Sequence, residues 1–416
     1  MDYRSTTLDN GIRIVSETMP HTRTVSLGLW FCVGSRDEKA DQAGLAHFME
    51  HMMFKGTPTR SPLDISMQFD ALGAELNAFT SKEYTCYYAR FVNDKIERAL
   101  EILSDMVINS TFEQGAIDTE REVVIEELVR SEDTPDDAVF ELFTSTILKN
   151  QPLGKPILGN KERVGCYTHD DCVRFHNEHY HTGNLIVACA GDMDHDYLIA
   201  LVERYFATMR RGERNTRLFV EPTYFDGIIT KTQDIEQAHL VYGFPWYAQG
   251  DPRRFAGSVL TSILGGSMSS RLFQEVREKR GLVYSVFATQ SSYQGAGLWC
   301  VYAGTRLANV AEAKSIIEIE LKRITEELVS AEELQRNIDL ICGQLALGLE
   351  TSAAHMNRLG KRTALGLPYE TLDELIECYS QVSAQEIRAL AQTYLTKEPL
   401  LALVSPASKQ EALQLL

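Results

Sequence analysis

The 416-residue sequence contains no CxxC pair, no block of basic residues and no long apolar run, and each absence removes a class of function. A membrane-spanning helix needs about 18–20 consecutive apolar residues, and no segment approaches that, so no membrane association is expected. The opening residues, MDYRSTTLDNGIRIV, lack the basic stretch and apolar core of a secretory signal. The eight cysteines, at 32, 86, 166, 172, 189, 300, 342 and 378, stand singly, most beside apolar residues. That pattern suits reduced, mostly buried thiols in a cytoplasmic protein better than a disulfide framework. Basic residues are outnumbered by acidic ones, giving a net charge of -17. No nucleic-acid partner is expected, because nothing basic enough to displace counterions from a phosphate backbone is present. The acidity is compatible with basic peptides, although by itself it mostly serves solubility.

What is present reads as a duplicated α+β domain. Two strands, TTL and IRIV, flank the turn Asp9-Asn10-Gly11, where Asn-Gly supplies positive φ values. A third strand, TVSLGLWFCVGS, is followed by a helix that Asp41 caps and that runs to about Lys55 before Gly56 and Pro58 stop it. A second helix near Ser61 to Leu72 leads to a strand pair in AELNAFTSKEYTCYYARF. Helical patterns then fill about 95–150 and 169–179, and NLIVACAGD forms a buried closing strand. The order recurs: strand QAHLVYGFPW, helix FAGSVLTSILGG, strand pair LVYSVFATQSSYQGAGLWCVYAG, long helices, and the closing strand LLALVSP. The expected division is a first domain over 1–212, a linker over 213–223 and a second domain over 224–416. Each domain is expected to be a mostly antiparallel sheet with helices packed mainly on one face. The second copy has no histidine between His239 and His355, so it lacks whatever the first does with them.

The sharpest signal is His47-Phe48-Met49-Glu50-His51. On a helix, residues four apart lie about 40° apart around the axis and about 6 Å along it, so both imidazoles can grip one ion from the same side. Imidazole favours zinc. Glu50 is near enough to take a proton from water at such an ion without being a ligand. Leu45, Phe48, Met49 and Met52 fall on the opposite, apolar face. A catalytic zinc needs a third protein ligand, and the helical run EQGAIDTEREVVIEELVRSED offers Glu120, Glu122, Glu126 and Glu127. Glu120 and Glu127 share a face about 10 Å apart along the axis, which suits one ligand and one supporting acid. A solvated acidic face is the competing explanation. A rival cluster, Cys172, His176, His179 and His181, crowds the end of one helix, where the helix dipole favours histidine without any metal.

HFMEHMMFKGT, NAFTSKEYTCYY and EREVVIEEL together resemble the pitrilysin/insulinase family of inverted-motif zinc peptidases, specifically its two-domain, mitochondrial-processing-peptidase-like branch. The resemblance spans essentially the whole chain. It implies a metalloendopeptidase with one Zn2+ per chain, held by His47, His51 and Glu127. Glu50 matches the family's base and Glu120 its supporting acid. Asn77 and Ala78 match the sheet edge along which a substrate backbone lies, and Arg277 and Tyr284 match a pair that reaches the substrate from the second domain. The resemblance further implies unfolded peptide substrates and a dimeric clamshell. A homodimer is self-sufficient, and a heterodimer with an inactive homologue satisfies the same requirement. A presequence-type processing peptidase and a non-catalytic partner subunit are the alternatives.

Overall fold

The structure is a computed structural model and describes residues 2–217 and 220–416. Residues 218 and 219 of the expected linker lie outside the described residues. Strands β1 (Asp2–Thr7), β2 (Arg13–Thr18) and β3 (Thr24–Phe31) come first. Helix α1 (Leu45–Met52), strands β4 (Glu75–Thr80) and β5 (Thr85–Val92), and strand β6 (Leu185–Gly191) complete the first sheet region. The second half supplies β7 (Gly227–Thr232), β8 (Ala238–Trp246), β9 (Val283–Tyr293), β10 (Ala296–Thr305) and β11 (Leu400–Ser405).

The strands form a six-stranded sheet in the order β1-β2-β6-β3-β5-β4 and a five-stranded sheet in the order β7-β11-β8-β10-β9. Without β1 the two orders are the same, strand for strand, which is the duplication expected from the sequence. Pairing is antiparallel except where β6 runs parallel to β2 and β11 parallel to β7. These two closing strands are buried along their whole length. Continuous burial requires cover on both faces of a sheet, and uninterrupted apolar sequence such as LIVACA follows from it.

The chain folds into two compact units, and neither is a contiguous half. The first takes Met1–Val129, Lys155–Leu218 and Gly348–Tyr369; the second takes Arg130–Gly154, Phe219–Leu347 and Glu370–Leu416. The expected boundaries therefore miss an exchange of segments. The helix Ser352–Ala364, late in the chain, packs on β2, β3 and β6, whereas the helix Pro135–Ile147 packs on β8 and β11. Each sheet thus carries most of its helices on one face and one borrowed helix on the other. In the first unit Leu27, Leu29 and Phe31 point into the main core with Phe48, Met49 and Met52 of α1, while Trp30 points to the opposite face beside Met356 and Leu359. Period-two alternation along β3 makes this division possible.

The borrowed helix is seated by specific contacts. His355 Nδ1 and Glu17 Oε2 lie 2.9 Å apart, both nearly inaccessible, and Arg13 and Arg214 donate to the helix-terminal carbonyls of Thr363 and Ala364. Cations at that end also complement the helix dipole. Gly360 lets the helix approach, since a Cβ there would stand 2.1 Å from Trp30 Cε2. Gly360→Ala gains up to about 1 kcal/mol of helix propensity. The collision with a fully packed indole outweighs that gain, and a net loss of about 1–3 kcal/mol is expected in a urea unfolding midpoint.

Two local expectations need correction. The helix carrying the histidine pair has Gly44 as its N-cap residue rather than Asp41, because Gly44 adopts a left-handed φ of 90° and breaks the run, and it ends at Met52 rather than near Lys55. In the first turn only Gly11, at φ 94°, is left-handed; Asn10 instead accepts the Ile12 amide with its side chain. Ser61 caps the helix Pro62–Ala71, and the helix His169–His179 forms as expected. Among the described residues no helix is long and apolar enough to cross a membrane.

Candidate metal centre

Helix α1 buries Leu45, Phe48, Met49 and Met52 completely, and this apolar stripe fixes its rotation about its own axis. His47, Glu50 and His51 are left half-buried on the other side. The helix Gln114–Asp133 is anchored by buried Ile117, Val124 and Leu128 and presents Glu120 and Glu127 from one face.

Glu127 Oε2 lies 3.7 Å from His47 Nε2 and 3.5 Å from His51 Nε2. One ligand atom from each residue falls within 4.8 Å of the others, and among the described residues this is the one group of His, Cys, Asp or Glu side chains so arranged. Ligands held about 2.0–2.2 Å from zinc at tetrahedral angles stand about 3.3 Å apart, so the observed spacing fits a single small cation. Glu127 is 42% exposed at its side chain, which leaves the group open to solvent on one side. Burial, with help from neighbouring His51, pushes the His47 pKa down to about 4. His47 is therefore a neutral imidazole with a free lone pair at neutral pH. Among the described residues its buried Nδ1 has no hydrogen-bond partner, so packing rather than an outer hydrogen bond orients the ring.

His51 is oriented differently. Its Nδ1 meets Glu120 Oε2 at 3.1 Å, and the other oxygen of Glu120 holds Lys55 Nζ at 2.5 Å. Burial acts to lower the His51 pKa, but the Glu120 hydrogen bond and the charges of Glu127 and Glu50 outweigh it and raise it. For Glu120, burial acts upward, yet His51 and Lys55 hold the carboxyl below its ordinary range. Glu120 is nearly inaccessible and never reaches the convergent group, so it supports one ligand rather than being another. Glu120→Gln is expected to weaken metal affinity by about 10–100-fold in a competition titration with a chromophoric chelator. Glu122 and Glu126 are exposed on other faces of the same helix.

Glu50 receives a hydrogen bond from Thr80 Oγ1 at its Oε2, 2.5 Å away, while its Oε1 has no hydrogen bond among the described residues. Burial raises the Glu50 pKa, with the Thr80 bond opposing. Thr80 ends β4, the edge strand of the first sheet, so the base is tied to the strand on which Asn77 and Ala78 lie. Asn77 is exposed and its side chain accepts from the Ala78 amide at 2.8 Å. Thr80 and Lys55 were not singled out from the sequence; neither belongs to a spaced motif.

In the second unit the Arg277 guanidinium lies over the Tyr284 ring, 5.4 Å from its centroid, and also over Phe273. Tyr284 is 76% exposed. In the same unit the helix Arg254–Gly265 follows β8 as α1 follows β3. There Ser262 bonds to Asn337, and Gln344 stands seven residues beyond. Neutral amides thus repeat the spacing of Glu120 and Glu127, and an amide lacks the negative charge with which a carboxylate holds a zinc ion. The rival cluster does not form a site: Cys172 is in the core, His176 Nε2 is bound to the Val107 carbonyl at 2.8 Å and His179 Nδ1 faces the Asn215 side chain.

Residues 13–161 match the insulinase (peptidase family M16) family, and residues 167–341 match the peptidase M16 inactive domain. A protein of Streptomyces coelicolor described as an uncharacterized zinc protease is 39% identical, over 99% of this chain and 91% of its own. A protein of Bacillus subtilis with the same description is 38% identical, over 96% and 98%. The chain belongs to the insulinase family. Its fold is shared with a peptidase M16 inactive domain from Pseudomonas fluorescens (TM-score 0.92, 19% identity, 98% of this chain and 99% of the other). It is shared equally with a protease from Helicobacter pylori (TM-score 0.91, 21% identity, 97% and 99%). Within this insulinase-family chain the histidine-bearing motif falls in the first matched region, and the Ser262–Asn337 contact in the matched inactive domain.

Proposed function

We propose that the chain is a zinc metalloendopeptidase that hydrolyses internal bonds of unfolded peptides. The observation that carries this reading is the convergence of His47, His51 and Glu127 beside a carboxylate, Glu50, that is not part of the convergent group. A zinc ion held by those three side chains supplies a Lewis acid that polarises a peptide carbonyl and makes water more acidic. The remaining work belongs to the chain. Glu50 takes the proton of the attacking water at Oε1 while Thr80 keeps Oε2 occupied, and then passes that proton to the leaving amine nitrogen. The open edge of β4 takes the substrate backbone as an added strand, which reads peptide conformation rather than side chains.

Arg277 and Tyr284 are proposed to bind substrate, the tyrosine hydroxyl donating to the oxygen that gains charge during attack. Tyr284→Phe is then expected to lower kcat by about 10²–10³-fold with little change in metal content. We also propose a homodimer, since one chain carries both the metal group and this pair, and a cytoplasmic location, which the free cysteines favour. The test of the main reading is a purified chain assayed for bound zinc and for cleavage of an unstructured fluorogenic peptide. Zinc near one per chain with chelator-sensitive cleavage supports it; a metal-free chain that stays inactive after zinc is added contradicts it.

A further inference from the structure

Helix α1 starts without a side-chain cap from its own N-cap residue, because that residue is Gly44. The amides of a buried first turn need acceptors, and an orphaned one is costly. Two of these acceptors are supplied from outside the helix by Glu38: Gly44 N–H donates to Oε2 at 3.0 Å and Ala46 N–H to Oε1 at 2.9 Å. Glu38 is only 3% exposed, so this carboxyl group is held out of water at the helix start. The arrangement is itself held. The Lys155 ammonium donates to the Glu38 carbonyl, the Lys82 ammonium to the Lys155 carbonyl at 2.8 Å, and the Tyr167 hydroxyl to the Ala43 carbonyl at 2.7 Å. Gly44 is wedged against Leu158 and Gly159, where an added Cβ would stand 2.6 Å from the Leu158 carbonyl oxygen.

We infer that Glu38 is a positioning residue for the metal centre, an inference that rests on the metallopeptidase reading above. The Ala46 amide it binds precedes His47, the ligand whose Nδ1 has no hydrogen-bond partner among the described residues. No hydrogen bond from Nδ1 fixes that ring as Glu120 fixes His51, so the placement of its Nε2 follows the backbone of the first turn. An eight-residue helix is also short enough that a tilt at its start is felt along all of it, at Glu50 as well as at His51. Two hydrogen bonds to one rigid carboxyl group fix orientation as well as distance.

The test uses Glu38→Gln in the full chain. The amide keeps the volume and one acceptor but turns an NH2 group toward a backbone N–H. Five quantities are read: melting temperature, kcat and KM on an unstructured peptide at saturating zinc, zinc affinity, and the visible absorption of the cobalt-substituted protein. The expected result is a kcat lower by about 10- to 100-fold with KM changed less than about threefold, together with a shifted cobalt spectrum. Should that variant fail to fold, Glu38→Asp, which keeps the carboxyl group but falls about 1.5 Å short, carries the same readouts. A lower melting temperature with wild-type kcat, KM and cobalt spectrum overturns the inference, because a purely structural cap behaves that way. A wild-type chain that neither binds zinc nor cleaves overturns the underlying reading, and this inference with it; an active wild type with an indistinguishable variant overturns the inference alone.

Discussion

Glu50→Gln is expected to retain its metal and to lose peptide cleavage by about 10²–10⁴-fold in kcat, the range a positioned general base contributes. The amide is the same size as the carboxylate, and its oxygen can still accept the Thr80 hydroxyl in place of Oε2. The helix keeps its buried stripe, and neither histidine touches the altered group through a hydrogen bond, so the metal group is left intact. What disappears is a site for the proton of water, which an amide cannot accept at neutral pH. Zinc content by mass spectrometry of the purified variant and steady-state rates on one peptide decide the matter. A rate within tenfold of wild type would remove Glu50 from the role of base.

The second large effect concerns Glu127. Replacing it with alanine removes the only carboxylate of the convergent group and leaves two imidazoles, one of which burial keeps neutral. The loss of zinc affinity is expected to exceed the about 10–100-fold cost of removing an outer partner such as Glu120, because a direct bond to the ion is lost. Stability without metal is expected to change by no more than about 0.5 kcal/mol, since Glu127 sits on a partly exposed helix face away from the core. Separation of the two effects is the informative result. Variants of Glu127 that bind zinc as the wild type does would mean that another residue completes the group.

Much of this centre could be read from sequence because its spacing is local. Spacings of four from His47 to His51 and of seven from Glu120 to Glu127 are helical arithmetic, and the apolar residues between them say which way each helix faces. Closing strands such as LIVACA and LLALVS were legible for a similar reason, since a short, wholly apolar run needs cover on both faces. Other features depend on contacts distant in sequence. The helix Ser352–Ala364 has an ordinary amphipathic pattern, and nothing in that pattern says that it lies on β2, β3 and β6 rather than on the sheet of its own half. Contacts such as Gly360 against Trp30 and His355 against Glu17 reveal the match, once both partners are seen together. Glu38 escaped for the same reason. An acidic residue in a polar stretch reads as solvated, whereas here it is sealed under the start of α1, and burial raises its pKa to about 8. Asp41 reads as the cap because a side-chain cap ordinarily adjoins its helix, whereas here the capping group comes from Glu38, six residues before Gly44.

The central claim is that His47, His51 and Glu127, drawn from two helices, bind one zinc ion. Crystals of the purified protein, measured on both sides of the zinc absorption edge, test it directly. The account predicts one strong anomalous peak per chain, within bonding distance of both Nε2 atoms and a Glu127 oxygen. A peak elsewhere, among Cys172, His176 and His181 for instance, or none in zinc-soaked crystals, would contradict it.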